Sequence, residues 1–176
     1  MFRTGDLIIY GSNGVCRVAE VGKPKVTVAD QEKLYYKLLP VYSTETIYTP
    51  VDTTVFMRPV ISRKEAEELI AQIPSIRGNV YTNHNIALLK EHYEASIQSH
   101  DCEDLIQLIK SVYTKNVNAV QNGKKLGQVD QRYMKRAEDL LHGELAIALG
   151  IPRDDIVQYI EDIITACEEN QTQHNN

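Results

Sequence analysis

Tryptophan is absent from this 176-residue chain and phenylalanine occurs only twice, so its aromatic material is carried by ten tyrosines. Cysteine is scarce as well. Cys16, Cys102 and Cys167 are odd in number, widely spaced and without a C-x-x-C pair. That pattern argues against a disulfide framework or a structural zinc site and leaves reduced, partly buried thiols. No apolar run approaches the ~18 to 20 residues that a membrane span needs, so no membrane partner is expected. The start of the chain has neither the basic region nor the apolar core of a signal peptide, and the expected compartment is the cytoplasm.

Catalytic patterns are missing too. His84, His92, His100, His142 and His174 form no H-E-x-x-H or H-x-x-x-H pair, so no metal is expected. Gly123-Lys124-Lys125 is not a phosphate loop, because Asn118 stands where the first glycine belongs and no Ser or Thr follows the lysine. Glu138 and Asp139 are adjacent and hence lie on different helix faces. Nothing argues for an enzyme, a cofactor or a small-molecule substrate.

What is present begins with "MFRTGDLIIYGSNGVCRVAEVG". Two runs rich in β-branched and aromatic residues, split by Gly11-Ser12-Asn13-Gly14, read as a pair of antiparallel strands. Further short strands are expected in "KLYYKLLPVY", "ETIYTPVD" and "TVFMRPVI". About five strands in ~60 residues is the spacing of a small barrel. Pro50 and Pro59 cannot donate to a ladder and belong at strand ends or on an edge.

The pattern changes at Ser62-Arg63-Lys64-Glu65, a capping box that opens a helix to about Ile73. Residues 73–82, rich in breakers, read as a linker. Beyond it Ile86, Leu89, Tyr93 and Ile97 share one helix face, and Asp101 or Cys102 starts a second helix whose buried side includes Val112 and Tyr113. Asn118 to Val129 reads as a basic loop, and Asp130 as the cap of a long helix that Gly150 stops. Pro152 restarts the chain in a last helix to about Cys167, with 168–176 as a loose tail. The expected fold is α+β, a barrel with its trailing helix over 1–72 followed by an all-α bundle over 83–167.

Charge is unevenly spread. Residues 110–136 hold seven cations (Lys110, Lys115, Lys124, Lys125, Arg132, Lys135, Arg136) against Asp130 alone, whereas residues 137–176 hold Arg153 against nine acids. A basic block inside a chain of net charge −5 hints at a polyanionic partner.

In order, "FRTGDLIIYGSNGVCRVAEV", "YYKLL", "IYTPVD" and "RPVIS" resemble the RNA-polymerase-interacting domain of the CarD/CdnL family of bacterial transcription regulators. "NGKKLGQVDQRYMKRAEDLLHGELAIALGIP" and "YIEDII" resemble that family's helical carboxy-terminal domain. The resemblance implies an SH3- or Tudor-like barrel that docks by a strand edge on the polymerase β subunit. It implies a helical domain lying against promoter DNA at the upstream fork, which stabilises the open complex without reading sequence. The polymerase-contact zone falls on Lys23, Lys25, Val26, Tyr48 and Thr49. Relatives often carry Arg where this chain has Tyr48. DNA contact falls on Tyr81, Ile86, Lys90, Lys124, Lys125, Arg132, Lys135 and Arg136. The family places a Trp wedge near the start of the first helix after the linker. With no Trp here, Tyr81 is the first stand-in, since its ring can stack while its hydroxyl stays wet, and Ile86 the second. The alternative is a polymerase-binding adaptor that has lost the DNA wedge.

Overall fold

The computed structural model describes residues 1–174, with side chains placed through residue 170. The chain divides into two compact units, Met1–Val60 and Ile61–Asn176.

The first unit is an antiparallel sheet of β1 (Leu7–Tyr10), β2 (Val15–Gly22), β3 (Tyr35–Pro40), β4 (Ile47–Pro50) and β5 (Met57–Pro59), in the order β4-β3-β2-β1-β5. β1 and β2 pair as expected, with Ile8 opposite Cys16, across a short 3₁₀ turn over Gly11–Asn13. That turn needs positive φ at both of its ends, +47° at Gly11 and +74° at Gly14, which only glycine adopts at no steric cost. Alternation then sorts the side chains. Ile8, Tyr10, Cys16, Val18, Tyr36 and Leu38 form one core layer, with Phe2, Val21, Ile47, Val51 and Met57 packed around it. Burial pushes the Cys16 thiol up to about 11, so it is an inert core group.

The expected barrel is not closed. β4 and β5 are the two edges of an open sheet and do not pair with each other. Both strands are short, and each ends on a proline that cannot extend a ladder, Pro50 on β4 and Pro59 on β5.

The second unit holds α1 (Arg63–Gln72), α2 (Ile86–Gln98), α3 (Cys102–Gln121), α4 (Gln128–Leu149) and α5 (Ile156–His174). The capping box is formed, with the Glu65 N–H donating to Ser62 Oγ and the Ser62 N–H to Glu65 Oε2. The helix it opens does not trail the sheet. Ala66 and Ile70 are fully buried in the helical core, Arg63 donates to the Leu149 carbonyl at 2.7 Å, and the Ile61 N–H donates to buried Glu144 at 3.1 Å. The unit boundary therefore lies at residue 60 rather than 72.

Several other boundaries move. α3 continues to Gln121, shortening the expected basic loop to residues 122–127. Asp130 is not the cap of α4, which starts from Gly127; it sits within the first turn, only 4% exposed. Tyr113, expected on the buried side of α3, is 60% exposed. Residues 168–174 continue α5 where a loose tail was expected, and 175–176 lie outside the described residues.

Residues 73–82, expected to be a linker, are a strap within the helical unit. The Lys110 ammonium on α3 donates to the Ile73 carbonyl and, at 2.6 Å, to the Ile76 carbonyl. Ile76 is buried against the core. Gly78 lies flush on α3, where a Cβ would come within 2.5 Å of the Ser111 nitrogen and 2.7 Å of the Gln107 oxygen. Tyr81 stacks face to face on His92 at 3.8 Å and 14°.

Beneath the strap lies a polar knot. Asp130 Oδ1 accepts from the Tyr93 hydroxyl at 2.5 Å and from the Lys115 ammonium at 2.8 Å, and Lys115 also donates to the Tyr81 carbonyl at 3.3 Å. Burial and the Asp130 carboxylate together hold the Tyr93 phenol far above its usual range.

Because the atoms facing Gly78 are helix backbone, which cannot rotate away, Gly78→Ala is expected to cost about 1–3 kcal/mol. It should lower the melting temperature by several degrees in a thermal unfolding scan. Gly22→Ala, with open space around its Cβ, should be neutral within ~0.5 kcal/mol.

Candidate functional site

On the sheet, register lines up three residues of adjacent strands. Glu20 pairs with Lys37, and Lys37 with Tyr48, all on the face opposite the core. The loop after β2 then brings Lys23 and Lys25 alongside. Together with Tyr35 these residues line a concavity of about 190 Å³. Three residues expected at the polymerase contact, Lys23, Lys25 and Tyr48, thus converge on one place. Lys23 is ion-paired to Glu32 at 2.7 Å, both largely exposed, so the pair contributes little and can be exchanged.

Val26 lies outside this concavity but is 41% exposed in the same loop. Thr49 differs. It pairs with core residue Tyr36 and is 4% exposed, so its side chain points inward and is closed to a partner. Lys37 was missed by the sequence reading. Its signal was present in the alternation of "YYKLL", where the buried Tyr36 and Leu38 force Lys37 outward. Beside this face runs β4, an edge strand whose alternate N–H and C=O groups have no strand to pair with.

In the helical unit the residues expected at DNA divide into engaged and available groups. Arg136 is paired with Glu94 at 3.0 Å, and Lys135 with Asp139 at 3.0 Å one turn along α4. Glu94 is held below the usual carboxylate range, first by the Gln98 amide, with Tyr133 and Arg136 adding to it, while burial opposes the shift. Lys110 and Lys115 belong to the strap and the knot described above. Of the basic block that leaves Lys124, Lys125 and Arg132. All three are exposed, and none has an ion pair among the described residues. Arg132 rests over the Tyr133 ring at 5.5 Å, which orients it without neutralising it.

The two residues expected as stand-ins for a wedge have unlike surroundings. Tyr81 is partly buried against the helical core, stacked on His92 and bonded through its hydroxyl to the Asn83 amide at 3.0 Å. Ile86, read from periodicity as the first core residue of α2, is 51% exposed. It occupies the first turn, one turn before Leu89, where the core begins. Val80 and Leu88 are exposed as well. Lys90, half-buried, lies one turn beyond Ile86. Asn85 caps this helix, its side chain accepting from the Ala87 N–H at 3.0 Å, so the first turn is firmly held.

No group of three or more potential metal ligands is found among the described residues, and no helix there is long and apolar enough to cross a membrane. No curated protein matches the chain. Residues 2–61, the whole of the sheet, match the CarD-like/TRCF RID domain family. The amino-terminal unit thus matches a CarD-like/TRCF RID domain, which is consistent with a CarD-like family protein and points to a role connected with RNA polymerase interaction and transcription.

Proposed function

We propose that the chain is a non-catalytic transcription regulator that docks on the RNA polymerase β subunit and contacts promoter DNA at the upstream fork, stabilising the open complex without reading sequence. The observation that carries this is an RID-type sheet whose β4 edge is open beside the concavity of Lys23, Lys25, Lys37 and Tyr48. A partner strand completes such an edge through main-chain bonds, while side chains along the same face set specificity. Lys25, Lys37 and Tyr48 are the specificity residues in this reading, with Thr49 contributing no side chain.

For the DNA contact, Lys124, Lys125 and Arg132 neutralise phosphates, and Ile86 takes the wedge position. An apolar side chain inserted at an unstacked step is a known way to hold a distorted duplex, and Ile86 is exposed on a capped first turn whereas Tyr81 is committed to His92. A second reading, a polymerase-bound adaptor without DNA function, is favoured by one observation: three of the seven cations in the basic block, Lys110, Lys115 and Arg136, are held in part-buried contacts within the fold, and a fourth, Lys135, is paired at the surface.

The two readings separate in three measurements. Lys25→Glu combined with Tyr48→Glu should abolish capture by the isolated β-subunit lobe while leaving the melting temperature unchanged; equal capture would misplace the docking face. Binding to forked DNA should show a log–log salt slope near about −2.7 for three phosphate contacts, and Lys124→Glu with Lys125→Glu should flatten it; an adaptor shows no slope. Ile86→Ala should shorten the open-complex lifetime several-fold with little change in thermal stability. A tenfold effect would correspond to about 1.4 kcal/mol of preference for the open state. Tyr81→Ala should instead lower the melting temperature first, because it strips the strap of its stacking contact. The opposite pattern would return the wedge to Tyr81.

A further inference from the structure

A second concavity, of about 160 Å³, opens in the helical unit between the strap, α2 and α3. It is lined by Asn79, His92 and Ser96, by Gln107 and by the ring of Tyr93. Its chemistry is unusual for this chain. A quarter of all residues are charged, yet no charged side chain lines it. Tyr93 and Ser111, the other hydroxyls present, are engaged, donating to Asp130 and to the Leu108 carbonyl. The side chains of Asn79, His92, Ser96 and Gln107 make no hydrogen bond among the described residues. Four uncharged groups, each able both to donate and to accept, therefore converge beside an aromatic wall. The aromatic lining is His92, backed by Tyr81 stacked behind it and packed edge to face on Tyr93 at 5.7 Å. Burial holds the His92 imidazole below its usual range, which favours the neutral ring with one donor and one acceptor.

We infer that this concavity receives a single unpaired nucleobase. The absence of charge disfavours phosphate, carboxylate and ammonium ligands, whose burial needs a counter-charge. An aromatic wall selects a planar ring, and Asn and Gln amides match the donor–acceptor edges of bases, adenine above all. The volume holds roughly five waters and falls well short of the ~300 Å³ at which drug-sized pockets begin, so one ring system fills it. The rigid seat of Gly78 on α3 fixes the distance between Asn79 and Gln107. The inference rests on the promoter-DNA reading for its source of unpaired bases, since an opened fork supplies them next to the duplex.

The test uses the full chain in two-dimensional NMR, following the His92 ring, the Ser96 amide and the Gln107 side-chain amide. Three probes are titrated: a short adenine-containing single strand, a blunt duplex of the same sequence, and free adenosine. The single strand should shift all three reporters saturably and the duplex should leave them in place. Ser96→Leu, which fills the concavity, and Gln107→Ala, at an exposed position, should each weaken single-strand binding at least fivefold. Shifts with adenosine but not with the strand would keep the nucleobase chemistry and assign it to a free nucleoside. Silent reporters with both probes, or shifts that survive both variants, would overturn the inference. The same titration reads duplex binding through Lys124, Lys125 and Arg132. Its loss refutes the promoter-DNA reading itself, whereas its persistence beside a silent concavity refutes only the pocket.

Discussion

Of the two carboxylates buried in the helical unit, Asp130 and Glu144, the first is the one on which the arrangement of α2, α3 and α4 depends. Asp130 is almost wholly withdrawn from water, and a carboxylate in that position is tolerable only if its partners replace the lost hydration. They come from two other elements, the Tyr93 hydroxyl from α2 and the Lys115 ammonium from α3, which are thereby tied to the first turn of α4. An acid in the first turn also complements the positive end of the helix. Lys115 then reaches beyond the pair to the Tyr81 carbonyl, so the strap is tied into the same arrangement. A hydrophobic cluster of Leu105, Val112, Leu141 and Leu145 would bring these helices together in many related ways. The carboxylate and its donors are satisfied in only one, which fixes α2, α3 and the start of α4 against one another.

Much of the fold was legible because local signals and tertiary outcome agree. The Gly-Ser-Asn-Gly turn, the alternation in "YYKLL" and the Ser62 capping box each have a mechanism confined to a few residues, and each is found where it was read. The misreadings share a different cause. Closure of a barrel depends on whether β4 meets β5, a contact between strands that no local pattern encodes. The segment around Pro74 and Gly78 has the composition of a linker, yet Lys110, far along the chain, turns its carbonyls into anchor points. Asp130 has the look of an N-cap, but a half-buried lysine fifteen residues earlier offers it a stronger partner. Ile86 follows helical spacing correctly and still faces water, because the buried stretch of α2 begins one turn later, at Leu89.

The basic block shows the same separation between composition and availability. As a sequence it is a run of seven cations against one acid. In the fold its members do unlike things: Lys110 binds carbonyls, Lys115 neutralises Asp130, and Arg136 and Lys135 sit against Glu94 and Asp139. The charge left to act on a partner is therefore compact and confined to the α3–α4 loop and the start of α4. In the sheet unit the sorting is done by pleat instead. One face is closed over Tyr36 and Leu38, and the other presents Lys37 and Tyr48, both partly exposed.

An open sheet edge is also a hazard, since any strand with unpaired backbone groups can add to it, including a strand of another copy of the same chain. Here both ends of the sheet are four residues long or fewer, and both finish on a proline, Pro50 and Pro59. A neighbouring chain that zips onto either edge loses its next donor at that residue and can propagate no further. The missing N–H groups of two proline rings thus set the length over which either edge can be completed by a partner.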